Sequence, residues 1–228
     1  MKALMIDNYD SFTYNLVHAF RKAECDVVTY RNDSGLQVIE RENPDFIVIS
    51  PGPSSPQNAG MSMDAVKRYA GAIPIFGVCL GMQVIAEAFG TPVGRLDELV
   101  GEEAIVHGGS STVYHDGKTI FTGVGKYEFM PLLGPHNSDT NEVRNFRAGR
   151  YHSLGTVKPE VRAPLEVSAY TFCDLRDNRV KEIVMGLRHK EYPIEGVQFH
   201  PESVLTMQDN AGQKLIENVV KYFSEKRR

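Results

Sequence analysis

Three residues have the types and spacing for nucleophilic catalysis: Cys79, His200 and Glu202. Cys79 is the centre of Gly77-Val78-Cys79-Leu80-Gly81, preceded by the apolar run Ile73-Pro74-Ile75-Phe76 and followed by the helix-like Val84-Ile85-Ala86-Glu87-Ala88-Phe89. Small residues two before and two after a nucleophile mark a strand-to-helix elbow, where the backbone turns too sharply for side chains at the flanking positions. The elbow predicts Cys79 lifted into the open at a helix N-terminus, whose unpaired N–H groups and dipole favour the negative charge of a thiolate. His200 follows Gly196-Val197-Gln198-Phe199, and Pro201 after it predicts an extended backbone in which His200 and Glu202 face the same side. A carboxylate beside an imidazole fixes its tautomer and supports its charged form, as suits a base that takes a proton from a nucleophile and returns it to a leaving group. Taken by itself the elbow thiol suits a peptidase or an esterase-like hydrolase as well.

Such groups need a scaffold, and the first half of the chain supplies one. Residues 3–6, 27–30 and 46–49 are continuous apolar runs, and Asp10-Ser11 offers capping oxygens to a helix carrying Phe12, Leu16, Val17 and Phe20 at helical spacing. Buried strands separated by helices predict an α/β fold with an open, mostly parallel sheet covered on both faces. The loop of residues 50–60 follows the third strand at its carboxyl end, where open α/β sheets bind ligands. It is too rich in proline and glycine to be regular, and Gly52 between two prolines suits an outward-pointing N–H. Met61, Ala65, Val66 and Tyr69 mark an amphipathic helix leading back to the elbow.

Beyond Gly90 the texture changes to short β-like pieces, residues 104–106, 111–114 and 118–121, which predict a smaller antiparallel extension with His115-Asp116-Gly117 as a turn. His107 and His115 have no companions at metal-ligand spacing and read as structural or loop residues. Residues 130–148 are polar and irregular and read as a long surface excursion. Residues 165–172, 183–187 and 194–199 read as further strands. A last helix bears the stripe Leu215, Ile216, Val219, Val220 and Phe223, with Asn210 and Gln213 as a capping box.

Composition narrows the function classes. A chain of 228 residues with 42% hydrophobic and 24% charged residues is ordinary globular material and reads as one domain. The net charge of −4 gives no support for nucleic-acid or anionic membrane binding. Cys25, Cys79 and Cys173 are too few and scattered for a disulfide framework and form no C-x-x-C pair, which points to a reducing compartment. No stretch approaches the roughly 18 apolar residues of a membrane span, and the expected location is cytoplasmic.

The elbow Gly77-Val78-Cys79-Leu80-Gly81-Met82-Gln83, the loop Ser50-Pro51-Gly52-Pro53 and the ending Gly196-Val197-Gln198-Phe199-His200-Pro201-Glu202-Ser203 resemble the class I (triad) glutamine amidotransferases. The opening Asp7-Asn8-Tyr9-Asp10-Ser11-Phe12-Thr13-Tyr14-Asn15-Leu16 and the segment Arg150-Tyr151-His152-Ser153-Leu154 narrow the resemblance to the glutaminase subunits of anthranilate synthase and of para-aminobenzoate (aminodeoxychorismate) synthesis. It covers nearly the whole chain, and it implies a flavodoxin-like sheet and a single amidotransferase domain over residues 1–228.

The resemblance implies that Cys79 attacks the side-chain amide of L-glutamine, His200 shuttles the proton and Glu202 holds His200. Backbone N–H groups of Gly52 and Leu80 would form the oxyanion hole, and Gln83, Ser153 and Leu154 would hold the glutamine. No cofactor or metal ion is implied for this chain. Ammonia would pass to a chorismate-binding synthase subunit, which carries the aromatic chemistry and its magnesium, for tryptophan synthesis. The alternatives are the same chemistry for folate synthesis, a non-catalytic regulatory subunit, and a free-standing thiol hydrolase of γ-glutamyl compounds. Three departures from the family pattern stand out: Met82 for histidine, which should leave the nucleophile untouched; Ser54-Ser55 for Gly-Thr, which should reshape the loop behind Gly52; and His107-Gly108-Gly109 for His-Gly-Lys, which with the insertion-like 130–148 should alter the face that meets the synthase subunit.

Overall fold

The apolar runs of the first half form parallel strands of one sheet. The computed structural model describes residues 1–129, 142–174 and 180–226. In chain order the elements are β1 (Lys2–Asp7), α1 (Thr13–Lys22), β2 (Asp26–Arg31), α2 (Gln37–Glu42), β3 (Phe46–Ile49), α3 (Met61–Tyr69), β4 (Ile75–Val78), α4 (Leu80–Ala88), β5 (Gly94–Arg95) and α5 (Leu96–Leu99). They continue with β6 (Val106–His115), β7 (Lys126–Phe129), β8 (Glu142–His152), β9 (Leu154–Gly155), β10 (Leu165–Asp174), β11 (Val180–His189), β12 (Ile194–Val197) and α6 (Ala211–Lys226).

The main sheet runs β2-β1-β3-β4-β12-β11-β10-β6-β8-β7. From β2 to β12 neighbours are parallel, and from β12 to β7 they are antiparallel, so the expected extension continues the same sheet. The strands are apolar throughout because both faces are covered. Ala3 and Met5 of β1 join Phe46, Val48, Phe76, Leu215 and Phe223 in one core, while Leu4 and Ile6 join Ile47, Ile49, Ile75, Ala65 and Ile85 in the other. That is period-two alternation between two helical layers, with α1 and α6 on one face and α2, α3 and α4 on the other. β1 pairs with β2 on one side and β3 on the other, so the chain reverses its direction of winding there, and the ends of β1 and β3 flank a switch-point crevice.

Several local expectations are corrected. Residues 142–148 are not a surface excursion but the first part of β8, a strand paired with β6 on one edge and β7 on the other, with Phe146 and Ala148 buried. The rest of the expected insertion, 130–141, lies outside the described residues. Residues 106–115 form one strand that continues through a bulge between His107 and Gly109, where two pieces were expected. Residues 119–121 are a 3₁₀ turn whose Ile120 and Phe121 point into the core, and residues 56–58 of the proline-rich loop form another. The capping box is also absent. Asn210 has φ +59°, in the left-handed region, and the buried Gln213 donates instead to the Ala19 carbonyl of α1, 3.4 Å away. Asp10 does not cap α1 either: its Oδ1 accepts from the Phe12 N–H at 2.8 Å, a local turn just ahead of the helix, which has no side-chain cap.

Candidate functional site

The carboxyl ends of β1, β3, β4 and β12 converge, and each contributes through a residue one to three positions past its end. After β4 comes Cys79, at φ +54° and ψ −105°, a conformation costing roughly 1–3 kcal/mol that only a strongly constrained turn maintains. The constraint is visible on both sides. A Cβ on Gly77 would lie 2.5 Å from the Gly81 backbone, and one on Gly81 would lie 2.3 Å from the Ile49 carbonyl oxygen, so both flanking glycines are required by contact. The Cys79 N–H donates to the Val197 carbonyl of β12 at 2.8 Å, and α4 starts with Leu80, whose N–H has no partner within the helix by position.

After β12 the chain reaches His200 and turns. Ser203 N–H donates to the His200 carbonyl at 3.2 Å, which makes His200-Pro201-Glu202-Ser203 a β-turn with proline at its favoured second position. The expected neighbourhood of His200 and Glu202 is present, with Nδ1 2.7 Å from Oε1, but turn geometry brings it about where extended alternation was expected. Both residues are buried, and the rings of Phe12 and Tyr151 pack on the imidazole with centroids 5.1 Å away. His200 N–H donates to the Gly149 carbonyl of β8, fixing the base to the antiparallel half. Burial works against a charge on His200, but the neighbouring Cys79 thiol and Glu202 carboxylate outweigh it and raise its pKa to about 10. Nε2 is buried and forms no hydrogen bond among the described residues, so the thiol acts on it across a longer contact.

After β3, Gly52 sits against the elbow: a Cβ there would meet Asn8 Cβ at 2.5 Å and Leu80 Cδ2 at 2.7 Å. Asn8, just past β1, ties this loop down. Its amide donates to the Ser50 carbonyl at 3.0 Å, its N–H donates to Ser50 Oγ at 2.9 Å, and its Oδ1 accepts from Ser62 and Asn32 at 3.0 Å each. Ser54 has φ +76°, a glycine-like backbone held by serine. Met82 is fully buried and packs on Gly196, away from the pocket.

A cavity of about 200 Å³ opens beside the thiol, lined among others by Gly52, Cys79, Gln83, His107, Ser153 and Leu154. The structure therefore brings Cys79 together with Gly52, Gln83, Ser153 and Leu154 on one wall, with His200 and Glu202 behind; the thiol, expected in the open, is itself buried and faces this cavity. His107, expected to be structural, stands on that wall. His115 is the structural one: it stacks on Phe121, its Nδ1 accepts from the Gly117 N–H, and burial lowers its pKa to about 4. Among the described residues no cluster of three or more His, Cys, Asp or Glu side chains is placed to hold a metal ion. No helix among them is long and apolar enough to cross a membrane.

Two buried residues at the site, Gln198 and His152, have no role expected from the sequence, and both bond to residues that do. Gln198, fully buried, donates to Cys79 Sγ at 3.5 Å and accepts from Gln83 Nε2 at 3.1 Å. Gln83 Nε2 also reaches the Leu154 carbonyl at 3.1 Å, which His152 Nδ1 approaches at 2.8 Å. These partners are 71 and 115 residues apart for Gln83, and no local pattern signals them. The one available hint is that Gln198 lies two residues before His200 in an otherwise apolar strand end.

Sequence comparison decides the relationship. Residues 4–221 match the family "Glutamine amidotransferase class-I". This chain belongs to the class-I glutamine amidotransferases. Among this family's curated members it is 45% identical over 223 residues to the aminodeoxychorismate/anthranilate synthase component 2 of Bacillus subtilis, covering 96% of each chain. It is 43% identical to the anthranilate synthase component 2 of Pseudomonas putida, covering 97% of each. A solved structure described as a GMP synthase subunit from Thermoplasma acidophilum superposes with a TM-score of 0.72 over 100% of this chain and 96% of the other. At 21% identity that likeness speaks to the fold alone.

Proposed function

We propose that this amidotransferase, acting as one domain over residues 1–228, hydrolyses L-glutamine through Cys79, His200 and Glu202 and delivers ammonia to a chorismate-binding synthase subunit. The observation that carries this reading is His200 held between the Glu202 carboxylate and the elbow thiol, beside a cavity of glutamine's size. Cys79 Sγ attacks the side-chain amide carbon and its proton passes to His200 Nε2, while Glu202 holds Nδ1. The N–H groups of Gly52 and Leu80 stabilise the oxyanion. The intermediate collapses with cleavage of the C–N bond, His200 returns the proton to the leaving nitrogen, and ammonia departs. Water, giving its proton to His200, then hydrolyses the γ-glutamyl thioester to glutamate and frees the thiol.

Gln83, Ser153 and Leu154 hold the glutamine in this reading. The Leu154 carbonyl already has two donors and takes no third. Leu96 N–H donates to the Ser153 carbonyl, which makes Arg95 and Leu154 the non-hydrogen-bonded pair of the β5–β9 ladder. The Leu154 N–H is therefore left out of that ladder and is what Leu154 offers a substrate.

The two component 2 relatives support a role in anthranilate, and hence tryptophan, synthesis. The printed name of the Bacillus subtilis relative joins aminodeoxychorismate to anthranilate, which favours a second reading in which one glutaminase serves both. The test is to mix the chain with each candidate synthase subunit, supply glutamine and chorismate, and identify the aromatic product by mass. Cys79→Ser should abolish glutamine-dependent synthesis and leave ammonium-dependent synthesis intact; loss of both would refute the proposed role.

A further inference from the structure

Arg150 is a buried arginine that among the described residues has no carboxylate partner. Its donors go to neutral acceptors: Nη2 to the Ala104 carbonyl at 2.8 Å, Nη1 to Ser111 Oγ at 3.2 Å and Nε to His152 Nε2 at 3.1 Å. Burying an arginine in this way is costly, as its pKa, pulled down to about 10 chiefly by burial, records.

The consequence is directional. A guanidinium only donates, so His152 Nε2 must accept, and the ring hydrogen of a neutral imidazole must then sit on Nδ1. Burial first, and Arg150 next, keep His152 neutral, with a pKa lowered to about 3. Nδ1–H then donates to the Leu154 carbonyl at 2.8 Å. That carbonyl can only accept, so Gln83 must also present its amide N–H to it, which fixes Gln83 with Nε2 toward the protein and Oε1 toward the cavity it lines. Gln83 Nε2 gives its second hydrogen to Gln198 Oε1, and Gln198 Nε2 is thereby aimed at Cys79 Sγ. One bonded series thus links Arg150 to the nucleophile, with His152 and Gln83 both donating to the Leu154 carbonyl at its centre.

We propose that Arg150 and His152 are positioning residues for glutamine. They lock the Leu154 backbone and the amide of Gln83, so that the cavity presents the Leu154 N–H and Gln83 Oε1 to the substrate in one fixed arrangement. The inference rests on the glutaminase reading for its substrate, whereas the bond directions stand without it.

The test compares His152→Phe, which keeps a ring and loses both nitrogens, with His152→Asn, whose side-chain N–H occupies nearly the position of Nδ1–H. In His152→Phe the KM for glutamine should rise at least tenfold with kcat within about threefold of wild type, and His152→Asn should recover most of the loss. Alkylation of Cys79 by iodoacetamide, which needs the thiol but no glutamine site, should stay within about twofold in both. A wild-type KM in His152→Phe would overturn the proposal, as would equal loss of alkylation and turnover in both variants. Should His152→Phe fail to fold, the ¹⁵N shifts of His152 in the wild-type chain decide: the Nδ1–H tautomer supports the series and the Nε2–H tautomer overturns it. Wild-type protein that turns over no glutamine would instead count against the assigned reaction, leaving the tautomer result to judge the network.

Discussion

Two histidines in the same site are both almost wholly buried, yet the protein drives them to opposite charge states. His200, beside Glu202 and the thiol, has its pKa raised to about 10, whereas His152, beside Arg150, has its pKa lowered to about 3. Burial pushes both downward, so the neighbour decides the outcome. The wall built from β4 and β12 carries the histidine that, in the proposed mechanism, takes up and passes on protons. The wall built from β8 and β9 carries one whose proton is fixed and whose work is geometric.

That contrast can be broken most severely on the first wall. Replacing His200 by asparagine should lower kcat/KM for glutamine by roughly 10³- to 10⁴-fold, toward the upper end of what a positioned base contributes. Glu202→Gln should cost roughly a hundredfold and shift the His200 titration downward, because the carboxylate is one of the groups that raises it. Steady-state glutaminase assays and a histidine NMR titration measure both. An unchanged titration in Glu202→Gln would remove the electrostatic half of the comparison.

Stability against pH should show the two histidines pulling in opposite directions. His200 is raised above the ordinary 6.5, so its contribution is complete below that pH and fades as pH climbs toward about 10. His152 is depressed, so its contribution is complete above 6.5 and fades as pH falls toward about 3, and His115, lowered to about 4, adds to that side. Denaturation followed across this range should show His152→Phe flattening the acid limb and Glu202→Gln flattening the alkaline limb. The reverse assignment would contradict the charge states.

The smallest effect lies outside both walls, in the loop after β3, and should leave either histidine's titration where it is. Ser54 holds φ +76°, which costs a non-glycine residue about 1–2 kcal/mol, and glycine's greater freedom in the unfolded chain offsets part of that. Ser54→Gly should therefore stabilise the protein by roughly 0.5–1 kcal/mol, a rise of about 1–4 °C in Tm by calorimetry. A lower Tm would mean that the serine is held there by contacts stronger than the strain.

The parts of this molecule that can be read without coordinates are those where one local rule dominates. Strands β1 and β3 show as continuous apolar runs because both faces are buried, and Cys79 and Gly52 show because the backbone admits few residues there. β8 hides from pattern reading because Arg150 and His152 lie on its buried side, where an apolar alternation would be sought. What makes them tolerable there is hydrogen bonding to Ala104, Ser111 and Leu154, and the Ala104 and Ser111 partners are 46 and 39 residues from Arg150. Asn8 and Gln198 escape notice for the same reason, since a buried polar side chain is explained by partners that only the folded chain supplies. The β-turn at His200 is legible in its result but not in its geometry, because proline fits both an extended segment and the second position of a turn.

Cys79 and His200 follow adjacent strands whose register is Gly77↔Gly196 and Val78↔Val197, and the Cys79 N–H is bonded across to Val197. Nearly everything that lies between them in sequence, from β5 to β11, is threaded out and returned without entering that two-strand clamp. Ser153, Leu154 and His107 belong to the threaded-out part, whereas Cys79 and His200, the proposed bond-breaking groups, belong to the clamp. Substrate choice in the proposed reading is thus divided: Ser153 and Leu154 sit on the excursion, where a new selectivity can be grafted, while Gln83, on α4 directly after the thiol, keeps one glutamine contact tied to the clamp.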